Sequence, residues 1–422
     1  MAQRYETYKD SGVQWLGEIP GHWKTIRVKS LLSERVDKST TGLEEPLSMS
    51  QKVGIIPTKE MDVVPNMASS YIGAKKVFKS DLVFNKLKAH LGVFAISQYD
   101  GLVSPDYAVY TPNELVCLPF MEYVFHTQLY IGEFKRRSTG VAIGLTRLYT
   151  PGLFAIPFVY PPLIEQRFIV TYLDDKCGKI DEWVNKKQKE VEYLQELKQR
   201  LIADAVTRGL NPNGTMKQTN IPWLPEVPEH WECIKMKYLF NERSEKNHPD
   251  EVSLCATQTY GVIPQKLYCS YGNRVVEVSK GFELLKFVKE GDFVIHLRSF
   301  QGGIEYAYYQ GIISPAYTIL EPKDANNSPY LKFLFKSYNF IQLLKTCVTG
   351  IREGQNINYS MLGNKYLFIP PLEEQKQIVS HITDKTSKIE KLIANINREI
   401  DGIKEYKQRL ISDVVTGQIK VC

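Results

Sequence analysis

Two kinds of loop in this 422-residue chain carry side chains suited to polar recognition, and each kind occurs twice. The first reads NKLKAHLG, with Lys86, Lys88 and His90, and returns as HLRSFQGG, with His296, Arg298, Ser299 and Gln301. The second is a Thr-Gly loop. One version offers Arg136, Arg137, Thr139, Gly140 and Arg147; the other offers Thr349, Gly350, Arg352, Gln355, Asn356 and Asn358. Lysine and arginine neutralise phosphates, while arginine, asparagine and glutamine also make paired hydrogen bonds to base edges. Gly92, Gly140, Gly302 and Gly350 would let backbone approach a phosphate closely. The plainer reading of each loop, taken alone, is a solvated surface loop.

Reactive chemistry is harder to find. The chain has no GxxxxGK[ST] phosphate loop, no HExxH and no paired-cysteine metal site. There is no Asn/Asp-Pro-Pro-aromatic sequence; the Pro-Pro pairs precede leucine at helix starts. Seven histidines are dispersed without an evident nucleophile partner. Acidic pairs such as Asp174-Asp175 and Glu373-Glu374 lie on helical stretches, where a solvated face or a helix-start role outweighs a catalytic dyad. These residues read as non-catalytic, with no metal or cofactor bound by this chain.

A net charge of +6 permits a polyanionic partner without demanding one. The polar start, MAQRYETYKDSG, does not read as a signal peptide, and no stretch approaches the roughly 18 apolar residues of a membrane span. Seven scattered cysteines without CxxC read as reduced thiols of a cytoplasmic protein.

The elements that must position the loops are also duplicated. PPLIEQRFIV opens a stretch from Pro161 to Thr207, and PPLEEQKQIV opens its copy from Pro370 to Thr416. Proline and acids suit a helix start. Apolar residues then fall in heptads: Ile389, Ile396, Ile403 and Leu410 in one row, Ile393, Ile400 and Val414 in the next. The first copy has Ile180, Leu194, Leu201 and Val184, Val191, Ala205, with Lys187 and Lys198 as exceptions; Lys407 is the exception in the second. This narrow seam predicts a coiled coil whose obvious partner is the other copy. Ile164–Thr207 alone would extend roughly 66 Å as a helix, with Gly178 and Gly402 as weak points.

Ahead of each globular part stands a tryptophan phrase, QWLGEIPGHW (Gln14–Trp23) or PWLPEVPEHW (Pro222–Trp231), expected to anchor a turn onto the following domain. Short β-rich runs follow, expected at Val53–Pro57, Asp81–Phe84, Val93–Ser97 and Leu102–Tyr110, and again at Ser253–Thr257, Asp292–Leu297, Gly303–Tyr309 and Ile312–Leu320. Leu115–Phe134 and Tyr330–Cys347 read as helices, Leu153–Tyr160 and Lys365–Ile369 as strands. The fold class is α+β: two tandem mixed α/β domains separated by two long helices paired as an antiparallel coiled coil, a pseudo-two-fold internal repeat. The boundaries are 1–160, 161–208 for the first helix, 209–222 for a linker, 223–369, and 370–422 for the second helix and tail. Paired this way, the helices would space two recognisers as a ruler does, and duplex DNA is the polymer that most often needs one.

The full set of phrases resembles the specificity subunit of Type I restriction–modification enzymes. The carriers are YKDSGVQWLGEIPGHW and KQTNIPWLPEVPEHW, the Ser-Pro strands at Ser104 and Ser314, and the Thr-Gly loops at Thr139 and Thr349. IPFVYPPLIEQ with YLFIPPLEEQ and the paired KQRLI helices complete the set. The resemblance spans essentially the whole chain. It implies two target recognition domains reading a bipartite, gapped, double-stranded DNA sequence. It implies that the helices set the gap and dock two modification (methyltransferase) subunits, with restriction (endonuclease/translocase) subunits joining for cleavage. S-adenosylmethionine, ATP and Mg would sit on those partners, with no membrane involved. HLRSF stands where the first half has NKLKAH, so contacts do not transfer between halves. Two other readings stay open: a stand-alone DNA-modifying enzyme, which S-adenosylmethionine binding by the isolated chain would reveal, and a coiled-coil interaction protein without nucleic acid.

Overall fold

A computed structural model describes residues 3–51, 53–61, 70–140, 146–275, 281–349 and 356–421. Two helices tie the described elements together: α1, Leu163–Arg208, and α2, Leu372–Val415. Both run unbroken through their glycines, and a Cβ at Gly178 or Gly402 would meet nothing within 4 Å, so no close neighbour requires a glycine at either position. The chain divides into two compact units, one formed by Met1–Lys187 with Arg398–Cys422, the other by Gln188–Asn397.

In the first unit an antiparallel sheet has the order β1 (Leu32–Arg35), β6 (Tyr107–Pro112), β4 (Leu82–Asn85), β5 (Phe94–Ile96), beside a hairpin of β2 (Leu47–Ser50) and β3 (Gly54–Pro57). Strand side chains alternate faces. Leu82 and Phe84 enter a large core with Trp23, Phe125 and Phe134; Val83 enters a smaller one with Val103 and Val109. Burial on both faces explains the unbroken apolar run LVF. The same large core takes Ile169 and Leu173 from α1 and Leu410, Val414 and Val415 from α2, so the helices pair antiparallel here.

The second unit repeats this plan. Its sheet order is β7 (Phe240–Arg243), β12 (Thr318–Pro322), β10 (Phe293–Ile295), β11 (Glu305–Tyr306), with a hairpin of β8 (Leu254–Thr257) and β9 (Gly261–Pro264). Phe293 and Ile295 face one core and Val294 the other. That large core collects Ile202, Ala205 and Val206 of α1 and Ile378 and Ile382 of α2.

Every seam position named above is buried or half-buried. Lysine exceptions bridge the helices in each unit: Lys407 Nζ lies 2.6 Å from Asp181 in the first and Lys198 Nζ 2.5 Å from Glu390 in the second. Lys187 lies over the ring of Trp183, 5.9 Å from its centroid. Each helix start binds a tryptophan phrase. His22 Nε2 lies 2.8 Å from Glu165, which also accepts from Tyr5 at 2.5 Å. His230 Nε2 lies 2.6 Å from Glu374, and the Trp231 indole donates to it at 3.2 Å. Trp23 and Trp231 are fully buried, as the anchor reading expects.

Several expected elements subdivide. Leu102–Tyr110 is two strands, Gly101–Val103 and Tyr107–Pro112, because Pro105 interrupts the run; Ile312–Leu320 divides likewise at Pro315. Leu115–Phe134 is two helices, Leu118–Phe125 and Gln128–Arg137, with the Thr127 hydroxyl bonding back to the Val124 carbonyl at the break. Tyr330–Cys347 is likewise divided, Ser337 capping the second helix. Leu153–Tyr160 holds a short helix, Thr150–Phe154, before its strand Pro157–Tyr160. The stretch 209–222 is more than a tether: Met216–Gln218 pairs with Glu226–Pro228. No helix among the described residues is long and apolar enough to cross a membrane.

Candidate nucleic-acid interface

Both basic loops leave the strand next to the sheet edge, after β4 and after β10. In the first unit Lys88 is exposed and Lys86 half-buried, and the Lys86 carbonyl accepts from the Leu148 N–H at 3.0 Å. Burial pushes the Lys75 ammonium down, and the positive charge of Lys86 pushes it further. His90 is half-buried, and its buried Nδ1 has no hydrogen-bond partner among the described residues.

The second loop is built differently. Ser299 is fully buried, and its hydroxyl accepts from the His296 N–H at 2.9 Å, so it braces the loop and is no surface contact. His296 is 9% exposed; its Nδ1 accepts from the Arg298 N–H at 3.2 Å and its Nε2 faces Glu305 at 3.5 Å. Glu305 is wholly buried and bonded to Lys336 at 2.5 Å. Lys336 also donates to the Gly302 and Gln258 carbonyls, at 2.9 and 3.3 Å. Arg298 and Gln301 stay exposed. They and His296 line a cavity of about 770 Å³, together with Thr257, Gln258, Thr259, Tyr268 and Tyr317. Cys255 lines it too, but burial, reinforced by Cys269, pushes its thiol up to about 11, so it is no thiolate nucleophile at neutral pH.

The Thr-Gly loops form matching ladders. Thr139 and Arg147 exchange backbone hydrogen bonds at 3.0 and 2.8 Å, and Thr349 pairs with Asn356. Gly140 is described, whereas Gly350, Arg352 and Gln355 lie outside the described residues. Arg136 and Arg137 both bind the buried Glu133, at 2.7 and 2.5 Å. The Arg136 hydrogen bonds hold that carboxyl below its ordinary value. Arg136 is 65% exposed and keeps a face for a ligand, while Arg137, 25% exposed, serves mainly as a strut. Arg147 lies 3.5 Å from Asp106. Asn358 caps a short helix through the Met361 N–H, which explains its presence without a ligand.

Sequence reading missed the hairpin tips. SMSQKVGIIP (48–57) and CATQTYGVIP (255–264) align with the glutamines and glycines in step, a short echo masked by differing neighbours. It also missed that Gly302 is close-packed by protein: a Cβ there would lie 2.6 Å from Gln258 Cδ. Among the described residues no cluster of three or more His, Cys, Asp or Glu could hold a metal ion.

The family model described as the type I restriction modification DNA specificity domain matches residues 228–401. A putative type I restriction enzyme MjaX specificity subunit of Methanocaldococcus jannaschii is 22% identical, over 96% of both chains. The MjaVIII specificity subunit of the same organism is 24% identical over 62% of this chain and 61% of its own. In fold, a chain from a structural study of complex assembly and conformational transition in a type I R-M system superposes with a TM-score of 0.70 at 14% identity, covering 94% of this chain and 98% of the other. The HsdS subunit from Thermoanaerobacter tengcongensis gives 0.52 at 16%, covering 95% and 98%. One unit is built twice with polar loops at the same sheet position, and in sequence and fold the chain is similar to the specificity subunits of type I restriction–modification enzymes, whose DNA specificity domain matches residues 228–401.

Proposed function

We propose that this chain reads a gapped, two-part sequence in double-stranded DNA, one part with each unit, and that it does no chemistry itself. Its partners are two modification subunits that methylate adenine and restriction subunits that cleave. S-adenosylmethionine, ATP and magnesium belong to those partners, and the complex works in the cytoplasm. In this proposal the paired helices set the gap and offer their outer faces for docking.

The observation that carries the reading is the repetition of one sheet order with dissimilar loops: Lys86, Lys88 and His90 stand after β4 where His296, Arg298 and Gln301 stand after β10. Identical scaffolds with unlike contact groups suit two unlike half-sites.

The test is a genome-wide map of adenine methylation in the host with and without the chain. The expected result is one bipartite motif with a fixed spacing that vanishes when the chain is deleted. An unchanged methylation map would overturn the role. Stoichiometric S-adenosylmethionine binding by the isolated chain would overturn its non-catalytic part.

A further inference from the structure

The two hairpins place a glutamine at the same point. Ser50 pairs with Gly54 and Thr257 with Gly261, and the residue leaving the first strand is Gln51 in one hairpin and Gln258 in the other. The closing glycines have φ of +70° and +72°, the left-handed conformation that short hairpin loops require. In both units the glutamine stands beside a glycine of the basic loop, closely in the second unit and more loosely in the first. A Cβ at Gly92 would meet Gln51 Nε2 at 3.9 Å, and one at Gly302 would meet Gln258 Cδ at 2.6 Å.

Another repeated pair shows what a structural glutamine looks like in this fold. Gln166 and Gln375 are buried, and each donates to the carbonyl of a helix-start proline, at 2.9 and 3.0 Å. Gln51 and Gln258 are exposed, and neither carboxamide bonds to protein among the described residues. Gln258 packs closely on Gly302 and Gln51 stands beside Gly92, while the donor and acceptor of each carboxamide face no protein partner among the described residues. A carboxamide carries no charge for a phosphate, and Lys86, Lys88 and Arg298 already supply charge beside it. Its donor and acceptor match N7 and N6 of adenine in the major groove.

We infer that Gln51 and Gln258 each read an adenine, in an A·T pair at the equivalent position of the two half-sites. Gly92 and Gly302 are the seats that aim them. This rests on the two-half-site reading above.

The test selects binding sequences from a randomised duplex pool with the full chain in the complex it forms in its host. Gln258→Ala is expected to relax one A·T pair in one half-site by tenfold or more, and Gln51→Ala to do so in the other half-site only. Gly302→Ala, whose new Cβ must displace Gln258, should reproduce the Gln258→Ala motif while thermal stability stays native. Wild-type motifs from both glutamine variants would overturn the inference and leave the two-half-site reading standing. So would a uniform loss of affinity with a shallower salt dependence, which marks a phosphate contact. A wild-type complex that selects no bipartite motif would overturn the reading beneath it.

Discussion

Glu165 shows how one residue serves two levels of the structure. As an acid in the first turn of α1 it suits the helix dipole. It also accepts from Tyr5 and His22 and so fastens the tryptophan phrase to the helix. Burial pushes its carboxyl up, but these hydrogen bonds outweigh it and leave the group below its ordinary 4.5. A carboxyl lowered in the folded state stabilises fully above its unfolded value and loses that contribution as pH falls through the folded value. Wild type should therefore melt above Glu165→Gln at pH 7, with the gap constant down to about pH 4.5 and closing below it. A gap independent of pH would mean that the carboxylate charge contributes nothing. The sequence showed Glu165 as a helix-start acid but not as this fastener, because His22 is 143 residues away and only folding joins them. Site residues divide the same way. Lys88, Arg298 and Gln301 are exposed, as their type and loop position lead one to expect, whereas Ser299 and Asn358 are polar for reasons internal to the fold. Buried polar groups need partners, and a partner distant in sequence leaves no local trace.

At the scale of elements the long helices were the most legible feature, since a heptad row over several turns leaves little choice of structure. Shorter elements were less so: a β-rich run and a buried short helix share the same apolar residues, and prolines and hydroxyls decide where each is cut. The lysines interrupting the seam gain their meaning only in the pair. Moving 17 residues back along α1, from Lys198 to Asp181, corresponds to moving 17 forward along α2, from Glu390 to Lys407. Both bridges obey one antiparallel register. Glu390 and Asp181 are 60% and 59% exposed, so each bridge contributes at most about 1 kcal/mol, and its use is to disfavour other registers. Lys198→Glu should weaken the second unit by about 1 kcal/mol in urea unfolding, and Lys198→Glu with Glu390→Lys should restore it. Equal losses in the single and double variants would remove the bridge from the account of register.

At the scale of the whole molecule the duplication extends to the ends of the long helices. Gly209 follows α1 at φ +72° and packs against Trp231; Gly417 follows α2 at φ +77° and packs against Trp23. Beyond Gly417 the chain returns to its own beginning. Gln418 Nε2 donates to the Glu18 carbonyl at 2.9 Å, Tyr8 Oη donates to the Gly417 carbonyl at 2.9 Å, and Lys420 bridges Gln3. Removing residues 418–422 should lower the melting temperature of the first unit by several degrees and leave the second unchanged, as read by Trp23 and Trp231 fluorescence in single-tryptophan variants. A loss shared by both would contradict it. The division of the chain also sets an order in time. Residues 188–397 are a complete unit as soon as they are made, but the unit that begins the chain needs residues from Arg398 onward. At ordinary elongation rates the first 187 residues wait roughly ten to forty seconds for them. During that wait Ile169 and Leu173 lack the cover that Leu410 and Val414 later supply. The ribosome thus finishes the later-coded unit first, and a nascent chain released early carries an uncovered apolar surface that marks it for chaperone or protease.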